Sequence, residues 1–128
     1  MQTKTLDALL EIANKEIKRL DFTESLNLIK KKESVIIDVR EESEVLNHGL
    51  IKDAIHIPRG LIEFKLSPNS INNPANINAD TNLLIYCAGG YRSALAAKTL
   101  SDMGFRNVFN LGGYQEWIDA GGDIQASP

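Results

Sequence analysis

Apolar residues recur at two different spacings along this chain, and the two spacings predict helices and strands. Near the amino terminus, six residues share the helical spacing: Leu6, Leu9, Leu10, Ala13, Ile17 and Leu20. They predict an amphipathic helix over residues 4–16 that packs on the domain, although residues 17–20 could also begin a short strand. Further helices are predicted over residues 24–31, with Asp21 or Thr23 as the N-cap, and over residues 42–46, 60–66, 92–103 and 114–120.

Four apolar runs predict buried strands over residues 35–39, 54–57, 83–86 and 107–111. The first run, Val35-Ile36-Ile37-Asp38-Val39, is apolar apart from Asp38. Such runs are typical of strands that helices cover on both faces, as in a parallel sheet. Because strands and helices alternate along the chain, we expect one α/β domain over residues 1–128 with a mainly parallel sheet. Within this domain, a helical extension over residues 1–20 comes first, and a polar tail over residues 121–128 comes last.

The segment between the predicted helix 60–66 and the strand 83–86 has a different composition. Residues 67–82 contain two prolines and six asparagines, which favour turns and irregular backbone. A loop of this length in a compact domain often borders a functional site. A surface insertion is an equally good interpretation.

Composition and charge exclude several classes of protein. The 128 residues are 43% hydrophobic and 24% charged, as expected for one globular domain. The net charge of −3 supplies no basic field for nucleic acid or anionic membrane. Charged residues interrupt the amino-terminal segment, so neither a membrane span nor a secretory signal is expected, and a cytoplasmic location is predicted. The single cysteine excludes an internal disulfide, a cysteine-rich zinc site and a CxxC redox pair, and we expect neither metal nor cofactor.

Cys87 is the candidate nucleophile, because it ends a predicted buried strand just before a predicted helix. In open α/β sheets, ligands bind beyond the carboxyl ends of the strands. Gly89 and Gly90 allow the backbone to curl, so that successive N–H groups can point at one spot. The start of the next helix and Arg92 add positive charge there, which lowers a thiol pKa. Alternatively, a lone cysteine can be an inert buried residue.

The two histidines do not form an obvious dyad with the cysteine. His56 alternates with isoleucines on a strand and is interpreted as structural, and His48 as a solvated turn residue. The thiol must therefore be activated mainly by the loop backbone and Arg92 rather than by a general base.

Three ordered stretches of the sequence resemble the rhodanese family of single-domain sulfurtransferases over about residues 22–122, which we take as the core. They are Ile37-Asp38-Val39-Arg40-Glu41 through Ala54-Ile55-His56-Ile57-Pro58-Arg59-Gly60, then Cys87-Ala88-Gly89-Gly90-Tyr91-Arg92-Ser93, and finally Asn110-Leu111-Gly112-Gly113 with Trp117. The resemblance implies a three-layer fold with a parallel sheet of about five strands between helices. It also implies that a donor such as thiosulfate leaves a sulfur on Cys87, and that cyanide, a thiol or a protein removes it.

The resemblance also implies roles for the neighbours of Cys87. The loop amides from Ala88 to Ser93 would stabilise the thiolate and the persulfide, and Tyr91 and Arg92 would shape the donor pocket. It places Asp38 and Arg40 at the base of the site, where Asp38 more simply anchors loops. Arg59 and Glu63 are possible rim residues or a solvated helix face, and Tyr114 and Trp117 are expected in the core. The chain departs from the family pattern in one turn, where Leu50 replaces a histidine and Asp53 a glycine.

Two other functions remain open on the sequence. A cysteine phosphatase or arsenate reductase uses a similar loop, but with one more residue between its cysteine and arginine. Arg92 is the fifth residue after Cys87, and the shorter loop favours a smaller target than tetrahedral phosphate. A non-catalytic or regulatory rhodanese module is the other alternative, although such modules often lack the cysteine.

Overall fold

The computed structural model describes residues 2–127 as an α/β fold built on a parallel sheet of five strands. The strands lie in the order β1-β6-β5-β2-β4, and every pair within this sheet is parallel. Their bounds are β1 Lys18–Arg19, β2 Ser34–Asp38, β4 Ile55–His56, β5 Asn82–Cys87 and β6 Asn107–Gly113. The predicted fold class is therefore confirmed, and of the two alternatives left open for residues 17–20 the structure has the short strand.

Helices cover both faces of the sheet, as the uninterrupted apolar strands require. The bounds are α1 Leu6–Glu16, α2 Phe22–Ile29, α3 Glu42–His48, α4 Ile62–Leu66, α5 Tyr91–Asp102 and α6 Tyr114–Asp119. A 3-10 turn, Arg59–Leu61, precedes α4. One apolar cluster joins β5 to α4 and α5 through Ile85, Ile62 and Leu100. The other joins the opposite face to α6 through Leu84 and Trp117. None of the helices in residues 2–127 has the length and apolar character needed to cross a bilayer.

Capping decides where the second helix begins. Of the two predicted N-caps, the structure uses Asp21, whose side chain accepts the Glu24 N–H while the Glu24 carboxylate accepts the Asp21 N–H. This reciprocal pair starts α2 two residues before the predicted position. Gly104, with a φ of 103°, follows the end of α5 as predicted.

The predicted polar tail is wrong in part, because it contains a strand. β7, Ile124–Gln125, pairs antiparallel with β3, Leu50–Ile51. Both strands have only two residues, too few for an alternating pattern to be recognised in the sequence. Asp53 in the turn after β3 has a φ of 67°, a conformation that aspartate tolerates where the related family has glycine.

Residues 67–82 lie at the opposite end of the sheet from Cys87. They lead into the amino end of β5, and the Arg106 N–H beside the start of β6 donates to the Ala79 carbonyl. The Asn73 side chain organises the loop, because it accepts the N–H groups of Ala75 and Ile77 and donates to the Ile77 carbonyl. Of the two interpretations of this loop, the structure favours the surface insertion.

A buried ion pair closes the carboxyl end of β2. Asp38 and Arg40 are 0% and 2% exposed, and Arg40 donates to both carboxylate oxygens through Nε and Nη2. Tyr86 donates its hydroxyl proton to Asp38 Oδ2 at 2.5 Å and accepts the Ile51 N–H. Arg40 also donates to the Gly49 carbonyl. The pair therefore ties β2, β5 and the start of β3 together, since each buried polar group has its partner.

We expect Tyr86→Phe to lower the free energy of unfolding by about 1–3 kcal/mol, because the buried Ile51 amide loses its acceptor and Asp38 Oδ2 loses one of its donors. Urea denaturation measures the change. Tyr91→Phe is the matched control, since Tyr91 is 68% exposed. Equal stability of the two variants would show that the buried network contributes nothing measurable.

Candidate active site

Cys87 occupies the last position of the central strand β5, at the carboxyl edge of the sheet. Tyr86 before it pairs with Asp38 of β2 and with Gly112 of β6, and Cys87 itself pairs with Gly113. The cysteine is 1% exposed, while Ala88 and Gly89 after it are exposed. The thiol therefore sits at the bottom of a surface loop.

The loop backbone curls around the sulfur as predicted from its glycines. Gly90 has a φ of 92°, which costs a side-chain-bearing residue strain, and its N–H donates to Cys87 Sγ at 3.1 Å. Gly90 is also the N-cap of α5, so the positive end of the helix dipole points to the same place. Cys87, Gly90 and the first turn of α5 thus form one anion-binding loop.

The pKa of the Cys87 thiol lies below its usual value despite burial. Burial raises the pKa, because it disfavours the charged form. Hydrogen bonds from the Ser93 side chain and from the backbones of Ser93, Gly90 and Gly89 lower it and outweigh the effect of burial. The thiolate is therefore a larger fraction of the protein at neutral pH than for an ordinary cysteine.

Ser93 is held by Asn110 of β6, a residue that sequence reasoning did not assign to the site. Ser93 Oγ lies 3.5 Å from Cys87 Sγ and donates to Asn110 Oδ1 at 2.8 Å. Asn110 Nδ2 donates to the Gly90 carbonyl at 3.0 Å. The Asn110 side chain thus fixes Gly90 in the middle of the loop and Ser93 at its end.

The guanidinium of Arg92 is not free to face the loop, because Glu44 of α3 binds it. Nη1 and Nη2 of Arg92 lie 2.6 and 3.0 Å from the two carboxylate oxygens of Glu44. The hydrogen bond to Arg92 holds the pKa of Glu44 at about 2, so the pair stays charged at all ordinary pH values. Arg92 still contributes positive charge beside Cys87, and Glu44 offsets it. Glu44 carried no sequence signal, because it lies 48 residues away.

A second arginine, Arg19 of β1, covers the outside of the loop. A Cβ placed on Gly90 would lie 3.1 Å from Arg19 Nη1, and one on Gly112 would lie 2.5 Å from Arg19 Nη2. Arg19 Nη2 also lies 2.6 Å from Glu116 of α6.

Beside the loop, a cavity of about 450 Å³ is lined by Ala88, Arg40, Glu44 and Tyr114, among others. Another, of about 610 Å³, lies next to Arg19 and Trp117, and Cys87 lines neither cavity.

Arg59 and the two histidines are the remaining residues that the sequence singled out. Arg59 is bound to Glu63 and, through Nη2, to Thr99 in the second half of α5, so these contacts point away from Cys87. His56 is held by the Arg40 carbonyl at 2.7 Å. His48 is exposed at the end of α3 rather than in a free turn, and its carbonyl accepts the Tyr114 hydroxyl. Among the described residues, no three His, Cys, Asp or Glu side chains are placed to hold a metal ion.

The structure thus combines a parallel five-stranded α/β sheet with a cysteine-containing loop at the carboxyl end of its central strand. The rhodanese-like domain family model matches residues 21–120. The chain belongs to this family, as its sequence resemblance predicted.

Named relatives are consistent with that assignment. A mitochondrial protein of Schizosaccharomyces pombe, provisionally named a thiosulfate sulfurtransferase, is 33% identical over 115 residues, covering 82% of this chain and 80% of the relative. A sulfurtransferase of Allochromatium vinosum is 33% identical over 103 residues, covering 80% and 88%. A solved Rhodopseudomonas palustris protein of unknown function, suggested in its name to be a tyrosine phosphatase, is 38% identical, with a TM-score of 0.86 over 98% of this chain and 97% of that one.

We expect Glu44→Gln to lower the pKa of the Cys87 thiol further, because the neutral amide leaves the charge of Arg92 uncompensated. The rate of iodoacetamide alkylation against pH gives the midpoint. Glu42→Gln on the same helix is the control, since Glu42 is exposed and has no ion pair with Arg92. An unchanged or raised midpoint in Glu44→Gln would contradict this electrostatic role.

Proposed function

We propose that this protein moves a sulfane sulfur from a small donor such as thiosulfate to a thiophilic acceptor through a persulfide on Cys87. The observation that carries the proposal is the hydrogen bond from the Gly90 amide to Cys87 Sγ, 3.1 Å long, at the carboxyl end of β5. It supports a thiolate whose pKa is depressed inside a ring of donors. Membership of a family with named sulfurtransferases supports the same reaction class.

The proposed reaction has two displacement steps. The Cys87 thiolate attacks the outer sulfur of thiosulfate, the sulfur–sulfur bond of the donor breaks, and sulfite leaves with the bonding electrons. The persulfide then carries one negative charge on its outer sulfur. An acceptor such as cyanide or a thiolate attacks that sulfur, and the Cys87 thiolate leaves again. Both steps place negative charge within the loop, where the Gly89, Gly90 and Ser93 donors stabilise it.

The acceptor must come from outside the chain. Cys87 is the one cysteine of the sequence, so no second thiol in the same chain can resolve the persulfide. A small thiol, cyanide or a protein thiol therefore acts as the partner, and we assign no role to nucleic acid or membrane. The cytoplasmic location stays a prediction, and the related S. pombe protein is mitochondrial.

The phosphatase alternative fits the loop less well. Phosphatase chemistry needs an arginine that chelates the phosphate oxygens with both of its terminal nitrogens. Here Glu44 already accepts one N–H from each of those nitrogens of Arg92, so three of the five guanidinium donors are left for a ligand. The loop is also short, with Arg92 five residues after Cys87. The alternative of a non-catalytic binding module leaves the donors around Cys87 without a purpose.

Incubation with thiosulfate is expected to raise the intact mass of the protein by one sulfur atom, because sulfite leaves and the outer sulfur stays on Cys87. Addition of cyanide should return the mass to its starting value and release thiocyanate. The control is Cys87→Ser, which keeps the shape of the site without the thiol.

An unchanged mass with thiosulfate, polysulfide and persulfide donors alike would overturn the proposal. Release of phosphate from a small aryl phosphate, lost in Cys87→Ser, would support the phosphatase instead.

A further inference from the structure

The proton of the Ser93 hydroxyl has two competing destinations. Ser93 is 0% exposed and lies between Cys87 Sγ, 3.5 Å from Oγ, and Asn110 Oδ1, 2.8 Å from Oγ. A hydroxyl has one proton to donate. Ser93 can therefore donate to only one of these two neighbours at a time.

The orientation of the Asn110 amide is fixed from both sides. Its oxygen accepts the Gly112 N–H at 3.0 Å, and its nitrogen donates to the Gly90 carbonyl at 3.0 Å. A flipped amide would face a donor with a donor and an acceptor with an acceptor, so the flipped state is excluded. The atom that faces Ser93 is therefore an acceptor, and the Ser93–Asn110 contact uses the only Ser93 proton.

An irregularity in the sheet holds Asn110 in this place. Ile85 pairs with Asn110, but the next residue, Tyr86, pairs with Gly112, so Leu111 is an extra residue in β6. Gly112 takes up the bulge with a φ of 111°. The bulge turns the Gly112 N–H onto Asn110 Oδ1. Asn110 is 2% exposed, so these hydrogen bonds are shielded from bulk solvent.

We propose that Asn110 is a positioning residue that holds the Ser93 proton while Cys87 is a neutral thiol and yields it to Sγ when Cys87 ionises. In the neutral state, the Cys87 S–H donates to Ser93 Oγ and the Ser93 O–H donates to Asn110 Oδ1. On ionisation the thiol proton leaves to solvent, the Ser93 hydroxyl rotates toward Sγ, and Asn110 Oδ1 keeps the Gly112 N–H. The inference deepens the proposed sulfur transfer and rests on it for its purpose.

The neighbouring charges come as pairs that this rotation does not alter. Arg92 on α5 is bound to Glu44 of α3, and Arg19 on β1 to Glu116 of α6. Asp38 and Arg40 at the end of β2 are bound to each other. Because each pair keeps its partners through the rotation, the Ser93 proton is the group whose position changes with the ionisation of Cys87.

A double-mutant cycle on the thiol pKa tests the competition. Asn110→Ala removes the competing acceptor, so the Ser93 proton is free for the thiolate, but it also loosens Gly90. Ser93→Ala removes the shared proton. We expect Asn110→Ala to lower the pKa by at least about half a unit more in the natural background than in the Ser93→Ala background. Asn107→Ala, at the other end of β6, should show no such dependence, because Asn107 binds the Asp80 carbonyl.

Equal shifts in the two backgrounds would overturn the proposal, because a role confined to holding Gly90 does not depend on Ser93. If a variant fails to fold, the natural protein provides a second readout. The side-chain carbonyl carbon of Asn110 should then titrate in NMR with the midpoint of Cys87. This change should shrink in Ser93→Ala and vanish in Cys87→Ala. A carbonyl signal that is constant through the ionisation of Cys87 would equally overturn the proposal.

Failure of this inference and failure of the proposed function are separable. The thiol pKa is measured on the free protein and needs no sulfur donor. If the persulfide forms but the pKa shift caused by Asn110→Ala does not depend on Ser93, only the role of Asn110 is refuted. If the pKa shift depends on Ser93 but no sulfur is gained, only the sulfur transfer is refuted.

Discussion

The hydrogen bond from the Gly90 amide to Cys87 Sγ sets the conditions that the rest of the site must meet. A thiolate that is almost fully buried loses its water, and this loss alone would raise its pKa. Donors must therefore replace the water, and they must be fixed before the charge appears. Gly90 provides one donor because its positive φ turns the N–H inward, and the same residue starts α5. The parallel sheet matters since it ends β5 at this point, between the ends of its two neighbours.

The buried ion pair of Asp38 and Arg40 connects the sheet to this loop through α3. An ion pair of this kind is weak evidence for stability, because desolvation offsets most of its attraction. Its geometric effect is specific, however. Arg40 donates to the carbonyl of Gly49, the C-cap of α3, and this contact holds the carboxyl end of that helix at the sheet edge. Glu44 on the same helix then reaches Arg92 and fixes its guanidinium beside the cysteine. The charge around Cys87 is thus set partly by a residue on a different helix.

Local patterns in the sequence predicted most of the fold, but they could not predict contacts between residues that are distant in the chain. The apolar runs around Ile37 and Ile85 predict buried parallel strands, and Gly89-Gly90 after Cys87 predicts the curled loop. Glu44 could not be predicted as the partner of Arg92, because Glu41 and Glu42 lie within three residues of it and nothing local distinguishes the three. The β3–β7 pair was missed because two-residue strands have no period. The bulge at Gly112 depends on register with β5, which a single strand does not encode, so the role of Asn110 was not visible either.

The segment before the matched family region contributes to the loop as well. Arg19 precedes residue 21, where the family match begins, yet its guanidinium covers Gly90 and Gly112. The parallel register of β1 explains this position, because it pairs Arg19 with Asn110 next to the bulge. Gly112 is therefore constrained twice: its positive φ disfavours a side chain, and Arg19 fills the space that a Cβ would need. Glu116 holds Arg19 there and balances its charge, so β1 stabilises the loop by packing. The electrostatic environment of Cys87 is set by the loop amides and by the Arg92–Glu44 pair.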